Sequence, residues 1–391
     1  MALRRAAAAR GERIPDEEGR MQLRPFEMER WQSLHEHEVE LNLSESGVHP
    51  FTLDELVELT GVEPGPVRLG YTQTNGTALL RERIAALYPG AGPENVLVTV
   101  GGAEANLLAT WAHVEPGDRA AIVVPTYGQT TGLGPAFGAD VHPIPLLERL
   151  GWQPEPGAAG RALARDASLV VVTNPNNPTG AVLGEEAIGE VVGAAADAGA
   201  WILSDEVYAG AEVEGERTPS LWGRYERVLV TGSLSKAYGL PGLRIGWLVG
   251  PADEIERLWG YKDYTTIAPP ALSDRLAAAA LEPDALESIF ARTRRIVREN
   301  RSVMEAWVAS ADGALAWRPP DAGAIGFVRY EADVGSSELA ERLRIEDGVL
   351  VVPGGQFGLD GYLRIGFGIE REPLEEALGR VLDRIRAAAP A

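Results

Sequence analysis

Short apolar runs bounded by turn residues recur through the first two thirds of the chain, at residues 95–100, 120–124, 169–173, 201–204, 228–231 and 245–249. They are rich in Val, Ile and Leu and lack the polar–apolar alternation of a half-exposed strand, as expected of strands buried on both faces. Between several of them lie helix-like stretches, over 103–113 and 185–198. This alternation predicts βαβ units, with a mainly parallel sheet and helices on both faces. After about residue 271 the pattern changes. A long helix rich in Arg and Glu is predicted over 288–310, followed by mixed strands and helices that include strands over 323–330, 348–352 and 362–366. Residues 21–42 are predicted to be helical and to pack on this second part. The expected organisation is a flexible tail over 1–20, a segment over 21–50 packing with the small domain, a large domain over 51–270 and a small α+β domain over 271–391.

Composition removes whole classes of function. The chain has 57 acidic and 36 basic residues among 391, a formal net charge of −21. Such a surface repels nucleic-acid backbones and anionic membranes, so neither is expected as a partner. Cysteine is absent, which excludes disulfides, thiolate catalysis, zinc fingers and iron–sulfur clusters. No apolar run approaches the roughly 18 residues of a membrane span. Residues 1–20 have early arginines but only a weak alanine stretch where a signal peptide needs an apolar core; they read as the tail of a cytoplasmic protein. No metal site is expected, because His35 and His37 point to different faces of a helix. The arginines over 292–301 read as an ion-paired helix face.

Only two of the 36 basic residues are lysines, Lys236 and Lys262; the other 34 are arginines. Arg stays protonated and forms no imine, whereas Lys can lose its proton and attack a carbonyl. A lysine retained against that bias is either a chance survivor or a candidate for covalent chemistry. For Lys262 the expectation is a solvated or dimer-contact side chain.

In open α/β sheets ligands bind beyond the carboxyl ends of the strands. There the chain places Gly101-Gly102-Ala103-Glu104, Pro125-Thr126-Tyr127-Gly128, Asn174 to Gly180, Asp205-Glu206-Val207-Tyr208 and Gly232-Ser233-Leu234-Ser235-Lys236. Gly101-Gly102 before a helix is a phosphate turn or merely a tight corner. Asp205 is a buried counter-charge or a helix N-cap. Lys236, close in sequence to Ser233 and to Arg244, is well placed as an imine with a phosphorylated aldehyde. Asp205 would then keep a pyridine nitrogen protonated, making the ring an electron sink.

The motifs Asn177-Pro178-Thr179-Gly180, Ser204 to Tyr208 and Ser233 to Lys236, with Arg244 and with Arg364 in Tyr-Leu-Arg-Ile-Gly-Phe-Gly, resemble the class I/II pyridoxal-phosphate aminotransferases of fold type I. The resemblance covers roughly residues 25–385. It implies an α/β large domain with a mainly parallel seven-stranded sheet, a smaller α+β domain, pyridoxal 5′-phosphate as cofactor, and amino acid and 2-oxo acid substrates in ping-pong half-reactions. It also implies roles for single residues. Lys236 would carry the cofactor as an aldimine and shuttle the proton. Asp205 would pair with the ring nitrogen, and Tyr208 and Asn177 with the phenolic oxygen. Tyr127 would stack on the ring. Gly102, Ala103 (through its backbone only), Ser233 and Arg244 would hold the phosphate. Tyr71 would reach a phosphate in the neighbouring subunit, so a homodimer with composite sites is implied. Arg364 would bind the substrate carboxylate, or else be a surface ion pair. Gly47 would lie near the substrate, in the Leu-x-x-x-Gly segment 43–47.

Stretches 43–50, 236–247 and 348–368 further resemble the capreomycidine synthase-like branch, cyclases of an arginine derivative. That reaction would use the same residues, since it also begins with loss of the Cα proton. A condensing synthase is disfavoured, because that group has His where Tyr208 stands. A ligand-sensing regulator with the same domain is disfavoured too, because the roughly 40 residues before Leu43 are too few and too acidic for a DNA-binding domain. The substrate side chain is left open; Arg24 and Arg68 could meet an acidic one but read as surface residues.

Overall fold

A computed structural model describes residues 23–163 and 167–388; the tail expected over 1–20 lies outside them. In chain order the strands are β1 (Leu41–Asn42), β2 (Val96–Thr99), β3 (Arg119–Val124), β4 (Asp140–Leu147), β5 (Gln153–Pro154), β6 (Ala167–Thr173), β7 (Trp201–Asp205), β8 (Val228–Ser233), β9 (Gly246–Val249), β10 (Leu315–Trp317), β11 (Ile325–Tyr330), β12 (Val349–Leu350), β13 (Val352–Pro353) and β14 (Tyr362–Gly366). The helices used below are α1 (Glu27–His35), α2 (Gly102–His113), α3 (Glu185–Ala198), α4 (Pro283–Ala309), α5 (Ser336–Glu346) and α6 (Arg371–Ala387).

The large sheet runs β2-β9-β8-β7-β6-β3-β4-β5. Its centre is parallel, from β4 through β3, β6 and β7 to β8, while β9 and β5 pair antiparallel. Successive side chains of one strand enter different cores. Leu97, Leu169, Val171, Leu203 and Leu229 pack on the α2 side. Val98, Val170, Val172, Ile202 and Val230 pack on the other side, with Ile188 and Val191 of α3. With both faces covered, nearly every position is apolar, which is why the runs show no alternation.

The sheet has eight strands, not the seven expected. The edge is extended by the two-residue β5, which adds antiparallel to β4. β4 itself escapes the pattern because Pro143 and Pro145 interrupt it. Proline is tolerated there because only two residues of β5 cover that side.

A second, four-stranded sheet, β10-β11-β14-β13, is antiparallel throughout. Its core takes Leu343 of α5 and Leu378, Val381 and Ile385 of α6. α4 spans 27 residues, roughly 40 Å, and joins the two cores. Ile289 enters the large core, while Ile296, Val297, Met304 and Trp307 enter the second. This helix begins at Pro283 rather than at residue 288, with proline in the first turn, where a missing N–H costs nothing. Three of its arginines are ion-paired, Arg294 with Glu212 at 2.8 Å, Arg301 with Glu305 at 2.8 Å and Arg295 with Glu299 at 3.5 Å, whereas Arg292 donates to the His49 carbonyl and Arg298 to the Val213 carbonyl.

The helix expected over 21–42 is shorter. It ends at His35, and Leu41–Asn42 forms a parallel bridge to β12. Burying Leu41 in the second core outweighs another helical turn. No helix among the described residues is long and apolar enough to cross a membrane.

Leu343 is fully buried in the second core, so Leu343→Ala should cost about 2–5 kcal/mol. The measurement is the urea midpoint at unchanged slope. A loss below about 1 kcal/mol would mean that this core is not close packed.

Candidate active site

Beyond the carboxyl ends of β6, β7 and β8 lies a cavity of about 380 Å³. α2 and the 233–244 loop form its floor, and α1 and residues 45–46 form its roof. Ten of the twelve predicted site residues line it: Gly102, Ala103, Tyr127, Asn177, Asp205, Tyr208, Ser233, Lys236, Arg244 and Arg364. The other two do not line it. Gly47 lies against the lysine from behind, where a Cβ would sit 3.5 Å from the Lys236 Cα. Tyr71 is 86% exposed and projects away from the chain. Arg24 and Arg68 are exposed as well.

At one end the geometry suits an anion. Gly101 precedes α2 at φ 80°, which leaves the first N–H groups of the helix free at the positive end of its dipole. Arg244, itself at φ 51°, lays its guanidinium against this turn. A Cβ at Gly101 would lie 2.3 Å from the Arg244 Nη2, and one at Gly246 would lie 2.4 Å from the Gly101 carbonyl carbon. Arg244 also donates to the Ser235 hydroxyl at 3.2 Å, which accepts from Ser233 Oγ at 2.9 Å. A left-handed arginine costs of order 1 kcal/mol and persists only where its surroundings demand it.

Beneath this turn lies the second lysine, and the expectation of a solvated side chain is corrected. Lys262 is fully buried. Its Nζ donates to Thr266 Oγ1 at 2.9 Å. Thr265 and Thr266 in turn donate to Glu104, whose other oxygen accepts from the Val100 N–H at 2.6 Å. Burial pushes the Lys262 ammonium down from its usual range, opposed by Glu104. The cluster pins the start of α2 and does not face the cavity.

Across the cavity Asp205 ends β7. Burial pushes its carboxyl up, and hydrogen bonds and the Lys236 charge oppose this. The chief hydrogen bond comes from Asn106 Nδ2, at 2.9 Å. Asn106 is oriented by Thr231, which donates to its Oδ1 at 2.8 Å. Sequence reasoning missed Asn106. The available signal was a lone amide among Ala105, Leu108 and Ala109 on the buried side of α2, where a polar group needs a partner.

Lys236 Nζ stands 3.7 Å from Glu45, and the lysine charge holds the Glu45 carboxyl below its usual range. Next to it, Ser46 accepts from Tyr208 Oη at 2.9 Å. Tyr127 donates to Glu29 of α1 at 2.7 Å. Glu29, Glu45 and Ser46 were also missed as site residues, although 45 and 46 lie in the 43–50 stretch noted for its resemblance.

Arg364 is 1% exposed. It donates to Asn177 Oδ1 at 3.2 Å and to the Ser44 carbonyl, touches Met28 Sδ at 3.4 Å, and leaves its Nε without a partner among the described residues. Burial pushes its pKa down. A guanidinium so buried costs free energy until an anion reaches it, which suits a carboxylate ligand.

Residues 42–381 match the family model described as aminotransferase class I and II. Capreomycidine synthase of Streptomyces vinaceus is 35% identical over 365 residues, 92% of this chain and 93% of that protein. A PLP-dependent aminotransferase of Streptococcus suis superposes with a TM-score of 0.89 at 32% identity, covering 95% of this chain and all of that one. The PLP-dependent cyclase OrfR superposes at 0.86 with 25% identity, covering 96% of this chain and all of that one.

Glu206, next to Asp205, accepts from Ser204 Oγ and the Leu221 N–H, while its other oxygen has no partner among the described residues. Burial raises its pKa from 4.5 to about 7. The native state therefore binds this proton more tightly than the unfolded chain, and stability should fall as pH rises from 4.5 through 7, by roughly 3 kcal/mol. Glu206→Gln should flatten that part of the pH–stability curve, measured by urea melts. An unchanged slope would show that Glu206 is already ionised.

Proposed function

Because the chain belongs to the aminotransferase class I and II family, whose cofactor is pyridoxal 5′-phosphate, we propose that it uses Lys236 to move an amino group between an amino acid and a 2-oxo acid. One observation carries this reading. A lysine amine, a buried carboxylate, a glycine-and-arginine anion cradle and a buried, partly unpartnered guanidinium converge on one cavity.

The residues fit the cofactor. The free N–H groups of Gly102 and Ala103, the Ser233 hydroxyl and Arg244 would hold its phosphate. Tyr127 would cover the ring, and Asp205 would hold a proton on the ring nitrogen. Tyr208 and the Asn177 amide would donate to the phenolic oxygen. When bound, the cofactor supplies an aldehyde that captures amines and a conjugated ring that accepts electrons from Cα.

The chain's own groups do the rest. Arg364 pairs with the substrate carboxylate and so fixes which Cα bond faces Lys236. Lys236, as the free amine, takes the Cα proton and returns it to the acceptor carbon. The Asn106 hydrogen bond opposes the neutral form that burial favours at Asp205, and Asp205 in turn favours the protonated ring. Tyr71, unsupported by its own chain, completes the phosphate site of a second copy in a homodimer.

A second reading, ring closure, draws support from the likeness to capreomycidine synthase and to the cyclase OrfR. It shares the removal of the Cα proton by Lys236. Product analysis separates the two. Release of a 2-oxo acid, with the amino group left on the cofactor, identifies transfer. A cyclic product that retains its nitrogen identifies ring closure.

Lys236→Ala should abolish both turnover and the visible absorbance of the reconstituted protein. Lys262→Met, which keeps the buried volume, should retain the band. Borohydride reduction followed by peptide mapping should place the pyridoxyl group on Lys236. A tag elsewhere, or a colourless wild-type protein, refutes the proposal.

A further inference from the structure

We propose that Trp152 is a positioning residue for Arg364. It ties the strand that carries the guanidinium to the edge of the large sheet, so recognition of a substrate carboxylate depends on a side chain outside the cavity. The proposal rests on the reading above that Arg364 takes that carboxylate.

The first sign is backbone strain. Gly151 and Trp152 follow each other at φ 67° and 60°. Glycine adopts that conformation freely, whereas a bulky side chain there is an outlier that only tight surroundings can hold. Trp152 has such surroundings. Its N–H donates to the Leu147 carbonyl at 2.9 Å, closing the turn between β4 and β5, and the residue is 2% exposed.

The indole packs against the second sheet. Its ring centre lies 5.8 Å from that of Phe327 on β11 and 6.1 Å from that of Tyr362 on β14. Phe327 and Tyr362 stack at 4.7 Å with planes 15° apart, and Phe357 meets Phe327 edge-on at 5.8 Å. The Tyr362 hydroxyl donates to Glu148, in the same turn as Trp152, at 2.6 Å. One turn at the edge of the large sheet thus grips β11 and β14 through an aromatic cluster and a hydrogen bond.

These are the strands that place Arg364. Along β14, Leu363 and Ile365 enter the second core, which leaves Tyr362 and Arg364 on the opposite face. Across the sheet Arg364 stands between Phe327 and Val352, and both belong to the core of the large sheet together with Trp152 and Phe357. The Arg364 guanidinium carbon lies 5.6 Å from the Phe357 ring centre. Trp152, Phe327, Phe357 and Tyr362 do not line the cavity, whereas Arg364 does, so the seam acts on a ligand through Arg364. A forked guanidinium–carboxylate pair needs both N–H groups in place, and a displacement of about 1 Å caused far from the chemistry can cost about a hundredfold.

The test measures a carboxylate preference. The cofactor-loaded protein is titrated with the common L-amino acids, followed by visible absorbance, and the tightest is compared with the amine that lacks only its carboxylate. The wild type should prefer the amino acid by about tenfold or more. Trp152→Leu should narrow that preference several-fold, while Trp152→Phe, which keeps an aromatic ring in the seam, should retain most of it. Ile188→Ala, in the same core but on α3, should lower the urea midpoint and keep the preference, which separates positioning from lost stability. Tyr362→Leu reads the other side of the seam, with the same expectation, should Trp152→Leu not fold. A preference untouched by the Trp152 and Tyr362 substitutions to leucine, or narrowed equally by Ile188→Ala, overturns the positioning role and leaves the proposed function standing. A wild type that binds no amino acid, or shows no preference, overturns both.

Discussion

A sheet covered on both faces has nowhere to put a charge except beyond the ends of its strands. β6, β7 and β8 are buried along nearly their whole length, so a polar side chain inside them would lose its water without replacement. Asp205 and Ser233 occur at the last positions of β7 and β8, where the chain leaves the packed layer. Lys236 and Tyr208 follow within three residues of those ends. The parallel direction of the three strands puts all these ends on one edge. The site is therefore a consequence of core packing: the apolar runs exclude charge from the sheet, and the topology collects it.

Collecting charge in a sheltered place is costly, and most of the hydrogen bonds around the cavity offset that cost. Asp205 is pushed toward its neutral form by burial and held back by Asn106. Asn106 does this in one orientation only, because a carboxylate accepts and so takes the amide Nδ2, which leaves the carbonyl oxygen for the Thr231 hydroxyl to donate to. Glu104 absorbs four donors from two loops, and the start of α2 is thereby fixed relative to the 262–266 segment. Arg364 remains incompletely satisfied. In the proposed function, stability forgone at this guanidinium would be recovered by the substrate carboxylate, which is how a preorganised site discriminates.

Legibility followed periodicity. The buried strands are visible because they are uniformly apolar, and α3 because its period is regular and unbroken. β4 was hidden by its prolines, and the short β5 by its two-residue length. Leu41–Asn42 pairs with β12, some 300 positions away, a contact that no local pattern encodes. In the site, residues in motif loops beyond strand ends could be read directly. Asn106, Glu29 and Glu45 could not. Their partners come from other elements, and a carboxylate on a short polar helix looks like any solvated one until the fold turns it inward.

The two lysines show how one compositional signal can have two causes. In a chain that uses arginine for 34 of its 36 cations, both survivors stand where a guanidinium fails, but for different reasons. At position 236 the proposed chemistry needs a nitrogen that can lose its proton, which arginine does not do. At position 262 the side chain is fully buried and its hydrogen bond goes to one threonine hydroxyl. A guanidinium there would bury five donors in a fork where the ammonium has a single hydrogen-bond partner, leaving most of them unsatisfied. A compact ammonium needs fewer partners, and burial already moves it toward the neutral amine. The bias therefore marks positions where arginine cannot work. Only the cavity, which holds one of the two lysines, distinguishes chemistry from packing.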